Sequence, residues 1–226
     1  MVLILGVLFF GTIASVSANA ASLDCSKLPP NSVEITLADS GIKTVYSYSY
    51  AALKGMTGFY GNQSMEVLGL TMGNSVVHTE IRSSVLQDTN RQIECSTHQI
   101  RLKIGFDPLT VYVGKEFAPG SCGFKEIYAH EMRHAKIYQE HAQKVIAEAS
   151  EPIKNRINAL GPLRGPLGST QERMAAELNE RWVPYVTRLL NRAEIQQREV
   201  DTREEYDRVA SSCQGEVMKI LNTPKH

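Results

Sequence analysis

Residues 124–150 read FKEIYAHEMRHAKIYQEHAQKVIAEAS, and the sequence HEMRH occupies positions 130–134 of this helical pattern. Residues four apart on an α-helix lie one turn apart on the same face, so the imidazoles of His130 and His134 can reach one ion. A buried pair of histidines needs polar partners, and a metal ion supplies one for both. The pattern therefore predicts a metal-binding helix that faces the core. The apolar residues on the face of the two histidines are Ile127, Tyr138 and Val145.

Glu131 gives this pattern a catalytic interpretation. A carboxylate beside the first histidine lies near a water on the ion and can take its proton. Zn²⁺ with three protein ligands and one open position is the usual catalytic arrangement, so Zn²⁺ is the expected cofactor and Glu131 the expected general base. Two alternatives stay open: a zinc ion that only links two helices, and an amphipathic helix whose histidines bind no metal.

The remaining histidines of the helix and strands are expected to be structural. His141 shares the helical face but lies about 10 Å along the helix from His134, too far to bind the same ion. His78 and His98 fall in the strand-rich half without a partner at metal-binding spacing.

The HExxH pattern of His130, Glu131 and His134, on a helix that follows a strand-rich half, resembles that of the zincin metallopeptidases. The resemblance implies that the two histidines bind zinc and that the glutamate acts as general base and acid. The chain departs from the metzincin subgroup, because Ile137 stands where that subgroup has a turn-forming glycine. Glu140 occupies the position of that subgroup's third ligand, but without the glycine the helix is expected to continue past it.

The chain is more similar to a bacterial family described as predicted secreted zinc-dependent proteases, a domain of unknown function. In that family a strand hairpin precedes HExxH and a Tyr-Asp segment follows well downstream, where this chain has Tyr206-Asp207. The family's Thr-x-His-Gly after the aspartate is not matched by residues 210–213, which read ASSC. The resemblance implies one zincin-like metallopeptidase domain over residues 21–226, acting on a peptide or protein substrate.

The third zinc ligand is expected on the chain that returns past the HExxH helix. If the helix from Phe124 and the helix from Ser169 form an antiparallel hairpin about Gly165, residues 195–199 lie roughly opposite the two histidines, to within about two turns. Acidic residues in and near this window are therefore the candidates.

Glu205 is the predicted third ligand among these acidic residues. The sequence at 201–204, DTRE, is a capping box that predicts a new helix start and explains Asp201 as the N-cap. In that helix Glu205 falls on the apolar face, where a carboxylate needs a cation. The next candidates, each also explained as a solvated charge, are Asp207 and Glu199.

The chain as a whole predicts an α+β fold, with residues 21–120 rich in strands and residues 121–226 helical. The first half is expected to form a mostly antiparallel sheet, followed by long helices that include the HExxH helix. The glycine- and proline-rich loop at 161–168 separates that helix from a second one, which the capping box at 169–172 opens.

The four cysteines predict two disulfides, for which three connectivities are possible. Strand patterns on both sides of Asp107-Pro108 predict a hairpin that turns there, and its open ends would bring Cys95 next to Cys122. By elimination Cys25 would pair with Cys213, linking the N-terminal part to the last helix.

The N-terminus predicts export. Residues 1–20 combine a short apolar run with Ala18-Asn19-Ala20, which is typical of a signal peptide cleaved after Ala20. Lys plus Arg and Asp plus Glu both total 24, and this zero net charge argues against nucleic acid as a partner. No apolar run of about 18 residues predicts a membrane span after signal removal. The expected protein is a secreted or periplasmic zinc peptidase, and the alternative is a non-catalytic zinc-binding or disulfide-linked interaction protein of the cell envelope.

Overall fold

The computed structural model describes residues 23–56 and 66–222, so the predicted signal peptide at 1–20 lies outside the described residues. The described chain is rich in strands before residue 121 and mostly helical after it, as the sequence predicts, with one short helix among the strands and one short strand among the helices. The strands are β1 (Ser32–Ala38), β2 (Ile42–Val45), β3 (Gly69–Asp88), β4 (Ile93–Val113) and β5 (Leu163–Pro166). The helices are α1 (Tyr50–Met56), α2 (Cys122–Leu160), α3 (Ser169–Ala176), α4 (Val183–Leu190), α5 (Ala193–Val200), α6 (Arg203–Ser211) and α7 (Glu216–Leu221), with a π-helical segment at Glu177–Trp182 and short 3₁₀ turns at Cys25–Lys27 and Cys213–Gly215.

The sheet is mixed, so the predicted mostly antiparallel sheet is not confirmed. β3 pairs antiparallel with β4 along nearly the whole length of β4. The other edge of β4 is shared end to end by β5, β1 and β2, and of these β1 and β2 run parallel to β4. The parallel pairs form because the chain passes along β1 and β2, returns through β3 and then turns tightly into β4. Among the described strands, the outer edge of β3 has no partner.

The predicted hairpin at Asp107-Pro108 is wrong, because β4 runs straight through these two residues. The hairpin turn lies instead at residues 89–92, between β3 and β4. Pro108 is tolerated inside β4 because β1 pairs only as far as Gly105 and β2 begins at Leu109. On the other side, β3 shifts register opposite the same point, so the missing N–H of the proline falls at an interruption of the ladder.

Both predicted disulfides are wrong as well: the bonds are Cys25–Cys95 and Cys122–Cys213. The predicted pairing depended on a hairpin that would return the chain from Cys122 to Cys95. Without that turn Cys95 lies near the start of β4 and Cys122 lies beyond its end, so about 60 Å of extended strand separates them. Cys95 instead links β4 to the N-terminal segment, and Cys122 joins the start of α2 to the 3₁₀ turn that follows α6.

The core lies between the sheet and α2. Alternate residues of β4 are buried against small and branched residues of α2, and the helices after α3 cover the rest of α2. Contacting core residues include Ile100, Leu102 and Ile104 from β4 and Ala135, Ala142, Ala149 and Ile153 from α2. The small alanines let the long helix approach the sheet closely. None of the described helices is long and apolar enough to span a membrane.

Candidate metal centre

The HExxH residues lie on the buried face of α2, two turns after its start. The helix begins at Cys122, after Ser121, whose Oγ accepts a hydrogen bond from the Phe124 N–H. The side chains of the motif on this face are nearly inaccessible to solvent, as the apolar spacing of the helix predicts. The buried members are His130, Glu131 and His134.

Three donor atoms converge on one point beside α2. Nε2 of His130 and Nε2 of His134 lie 3.2 Å apart, and Oδ1 of Asp201 lies 3.2 Å from the first and 3.1 Å from the second. Asp201 occupies the break between α5 and α6, so its side chain reaches back toward α2. In the described part of the chain, these residues form one of two groups with the spacing of a metal site; the other contains the Cys122–Cys213 disulfide, whose sulfurs are already bonded.

The donor triangle suits a small cation such as Zn²⁺. Zinc binds histidine nitrogen and carboxylate oxygen at about 2.0–2.2 Å and prefers tetrahedral geometry. Two ligands at about 2.0 Å in a tetrahedron are about 3.3 Å from each other. The observed separations of 3.1–3.2 Å differ from this value by only a few tenths of an ångström. Three donors from the described residues fill three of the four tetrahedral positions.

Asp201, not the predicted Glu205, completes this set of donors. The N-cap of α6 is Thr202, whose Oγ1 accepts from the Glu205 N–H at 3.2 Å. The interpretation of Asp201 as the cap is therefore wrong, and its carboxylate is free to face the histidines. Glu205 contacts His130 on the far ring nitrogen, Nδ1, at 3.2 Å. The two other candidates, Glu199 and Asp207, are exposed and lie outside the set.

Each imidazole has an oxygen acceptor on its Nδ1 side. Glu205 Oε1 lies 3.2 Å from Nδ1 of His130, and Gln197 Oε1 lies 2.5 Å from Nδ1 of His134. An acceptor at Nδ1 holds the proton there and leaves the lone pair of Nε2 directed toward the donor set. Gln197, Asp201 and Glu205 follow one another at intervals of four, and this spacing is a signal for all three in the sequence.

Glu131 is held against β3, beside the donor triangle. Thr71 Oγ1 lies 2.8 Å from Oε2 of Glu131 and 2.9 Å from its main-chain oxygen. Burial raises the pKa of the Glu131 carboxyl, and the nearby His134, His130 and Thr71 only partly offset this effect. Gly69 passes so close that a Cβ there would lie 2.6 Å from Oε1. Thr71 and Gly69 carry no signal of this role in the sequence, because only strand pairing brings them to the helix.

The charges of the donor set are coupled to one another. Burial acts to raise the pKa of Asp201, but hydrogen bonds from His130 and His134 outweigh it, so the pKa lies well below its usual range. Burial likewise acts to lower the pKa of His134, and the hydrogen bond to Asp201 and its charge reverse the direction, so the pKa is raised. The Asp201 carboxylate and the His134 imidazole therefore each favour the charged form of the other.

A cleft of about 710 Å³ opens over these residues. One wall is the free edge of β3 from Gly69 to Asn74, and the opposite wall comes from α5 and α6. The floor is α2, with the HExxH residues. Other residues that line the cleft are Ile127, Tyr138, Glu194, Arg198, Tyr206 and Val209.

His78, His98 and His141 lie elsewhere in the described structure. His98 is buried, with Ser83 Oγ and Ser96 Oγ each 3.0 Å from one of its ring nitrogens. His78 is exposed on β3. Nε2 of His141 lies 2.8 Å from the main-chain oxygen of Leu189. None of these three belongs to the donor set.

Comparisons of the chain with protein families, curated proteins and solved structures find no match.

Proposed function

We propose that the protein is a zinc-dependent peptidase that hydrolyses peptide bonds with Glu131 as general base. The observation that carries the proposal is the donor triangle of His130, His134 and Asp201, with the buried carboxylate of Glu131 adjoining it. A structural metal site has no need of a glutamate beside its first histidine. The two disulfides favour an oxidising compartment, so we place the protein outside the cytosol, secreted or periplasmic.

Zinc would be held by Nε2 of His130, Nε2 of His134 and Oδ1 of Asp201. A zinc ion bound there supplies Lewis acidity, which makes water more acidic and polarises a carbonyl group. Three protein donors in the described part of the chain, rather than four, favour a catalytic site over a closed structural one.

Glu131 performs the proton transfers in this proposal. Its carboxylate accepts a proton from the water whose oxygen attacks the carbonyl carbon of the substrate. When the carbon–nitrogen bond breaks, the same group donates that proton to the leaving amine. The raised pKa of Glu131 brings the carboxyl closer to the range in which both transfers are efficient. The contact with Thr71 keeps the carboxylate in the same orientation between the two proton transfers.

The free edge of β3 provides a place for the substrate backbone. Among the described strands this edge has no partner, so its N–H and C=O groups can hydrogen-bond to an extended peptide, which adds to the sheet as one more strand. The same strand contacts Glu131 through Thr71, so a peptide on this edge lies beside the general base. Tyr206 lines the opposite wall, with its ring centroid 6.2 Å from that of His130, and we assign its hydroxyl to stabilise the developing oxyanion.

The test is metal analysis and hydrolysis with the same three proteins: wild type, His134→Ala and Glu131→Gln. We expect one zinc per chain in wild type and Glu131→Gln but not in His134→Ala, and release of peptides from labelled casein by wild type alone. Zinc binding without hydrolysis would leave the non-catalytic zinc protein as the function. Wild type that takes up no zinc after reconstitution would overturn the proposal and leave an interaction protein.

A further inference from the structure

We propose that Arg208 is a positioning residue for the metal centre, which orients His130 by fastening the carboxylate of Glu205 against Nδ1 of that histidine. The inference rests on the proposed function, because it assumes that the donor triangle binds zinc. It assigns the affinity for the metal partly to a guanidinium that is not one of the donors.

Glu205 is the acceptor that makes His130 a metal ligand. Its Oε1 lies 3.2 Å from Nδ1, and its side chain is only 15% exposed, so water competes weakly for the carboxylate. A proton held on Nδ1 leaves Nε2 with the lone pair that a metal needs. Acceptors of this kind fix the ring orientation and raise the basicity of the ligand.

Arg133 opposes this arrangement. Its Nη2 lies 2.9 Å from the same Nδ1 and also contacts Oε1 of Glu205. A guanidinium can only donate, so a hydrogen bond from Arg133 to Nδ1 would require the proton of His130 on Nε2. That tautomer cannot bind a metal through Nε2. The position of Glu205 therefore decides which nitrogen of His130 is available.

Arg208 fixes that position with a forked contact. Its Nε donates to Oε2 of Glu205 at 2.9 Å and its Nη2 to Oε1 at 2.8 Å, so both carboxylate oxygens are held in one plane. The third contact, from Nη1 to Oε2 of Glu126 at 2.8 Å, ties the guanidinium to α2. Glu126 stands one turn before His130, so the chain of contacts starts and ends on the same helix.

The experiment measures the zinc dissociation constant of metal-free protein by competition with a chromophoric chelator. The variants are Arg208→Gln, Arg208→Lys and Glu126→Gln. Arg203→Gln is the matched control, because Arg203 lies on the same helix with a side chain that is 90% exposed. We expect Arg208→Gln to weaken zinc binding by about tenfold or more, as removal of such outer partners does. Arg208→Lys keeps the charge without the forked contact, so its zinc affinity should lie between those of wild type and Arg208→Gln. Arg203→Gln should bind zinc as tightly as wild type.

A double variant shows whether Arg208 acts through Glu205. If it does, Glu205→Ala combined with Arg208→Gln binds zinc no more weakly than Glu205→Ala alone. Additive losses, or wild-type affinity in Arg208→Gln, would overturn the inference. Thermal unfolding of the metal-free variants separates loss of affinity from loss of folding.

The outcomes distinguish this inference from the proposed function. If zinc affinity depends on Arg208 but wild type hydrolyses no peptide bond, the inference is supported and the proposed peptidase function is overturned. If the Arg208 variants bind zinc and hydrolyse peptides as wild type does, the inference is overturned and the proposed peptidase function stands. Wild type that binds no zinc overturns both.

Discussion

Gln197 holds His134 at two points: its Oε1 lies 2.5 Å from Nδ1 of the imidazole, and its Nε2 donates to the main-chain oxygen of the same histidine at 3.1 Å. The amide therefore fixes both the ring and its helix relative to α5. The side chain is buried, so the contact is shielded from water. The acceptor at Nδ1 of His134 is thus a neutral amide, whereas the acceptor at Nδ1 of His130 is the carboxylate of Glu205.

We expect Gln197→Ala to weaken zinc binding by about 10- to 100-fold, because the imidazole loses the acceptor that sets its tautomer. Gln196→Ala is the control, since this neighbouring glutamine is on a more exposed part of the same helix. Chelator competition measures both variants. Equal affinities for the two would show that Gln197 has no role in orienting His134.

Gly69→Ala should impair both stability and hydrolysis. A Cβ at this position would lie 2.6 Å from Oε1 of Glu131 and 2.8 Å from Cγ2 of Ile127, so these side chains or the backbone that carries them must shift. Crowding of this kind costs about 1–3 kcal/mol. Gly55→Ala is the matched control, because a Cβ there meets nothing within 4 Å. Urea unfolding and casein hydrolysis together check the result, and a Gly69→Ala protein as active as Gly55→Ala would contradict it.

The two disulfides should contribute similarly to stability and differently to the metal site. Their sequence separations are 70 and 91 residues, so the chain-entropy estimate is about 4 kcal/mol for either one. Only Cys122–Cys213 fastens α6, which adjoins Asp201, to the start of α2.

We expect the double variant Cys122→Ala with Cys213→Ala to bind zinc several-fold more weakly than the double variant Cys25→Ala with Cys95→Ala, at similar unfolding midpoints. Differential scanning fluorimetry and chelator competition give the two quantities. The same zinc affinity in both double variants would mean that the α2–α6 disulfide does not position the centre.

Glu94, which is not one of the donor residues, makes the stability of the fold depend on pH. Its Oε1 accepts from the N–H of Thr170 at 3.0 Å and from Oγ1 of Thr170 at 2.7 Å, which caps the start of α3 from a neighbouring strand. Hydrogen bonds from the Gly168 N–H and from Thr170 lower the pKa of Glu94 from 4.5 to about 2. The unfolded chain therefore binds the proton more readily than the folded one.

The stability that Glu94 contributes is thus present above pH 4.5 and is lost as the pH falls toward 2. We expect Glu94→Gln to destabilise the protein by about 1–3 kcal/mol at pH 7 and by clearly less at pH 3. Urea unfolding at both pH values measures this, with Glu148→Gln on the exposed face of α2 as the control. A loss that is the same at pH 7 and pH 3 would contradict the assignment.

Local sequence patterns predicted the helix that carries the site but not the residues from other elements that contact it. The spacing of HExxH and of the apolar residues around it depends only on helical geometry, so the buried face of α2 was predictable. The third donor depends on where one helix ends and the next begins. Because Thr202 rather than Asp201 caps α6, Asp201 faces the histidines. Glu205, four residues later, lies on the far side of His130, beside Nδ1.

The strand-rich half shows the same division. Alternation predicted that β4 and its neighbours are strands, but the direction and order of pairing depend on which turn closes the hairpin. Pro108 has the sequence character of a turn and yet lies within β4. It is tolerated there because it falls in the gap between β1 and β2, where no pairing with either strand requires an N–H. The disulfide prediction failed with the hairpin on which it depended.

The sequence by itself determined the helix that carries His130, Glu131 and His134, the face on which they lie, and the order of strands before helices. These follow from interactions between residues a few positions apart. Only the tertiary structure decided that Asp201 completes the donor triangle, that Thr71 holds Glu131, and that Cys122 joins Cys213. Each of these contacts spans 60 or more residues of sequence, and it depends on strand register and helix ends, which local spacing does not specify.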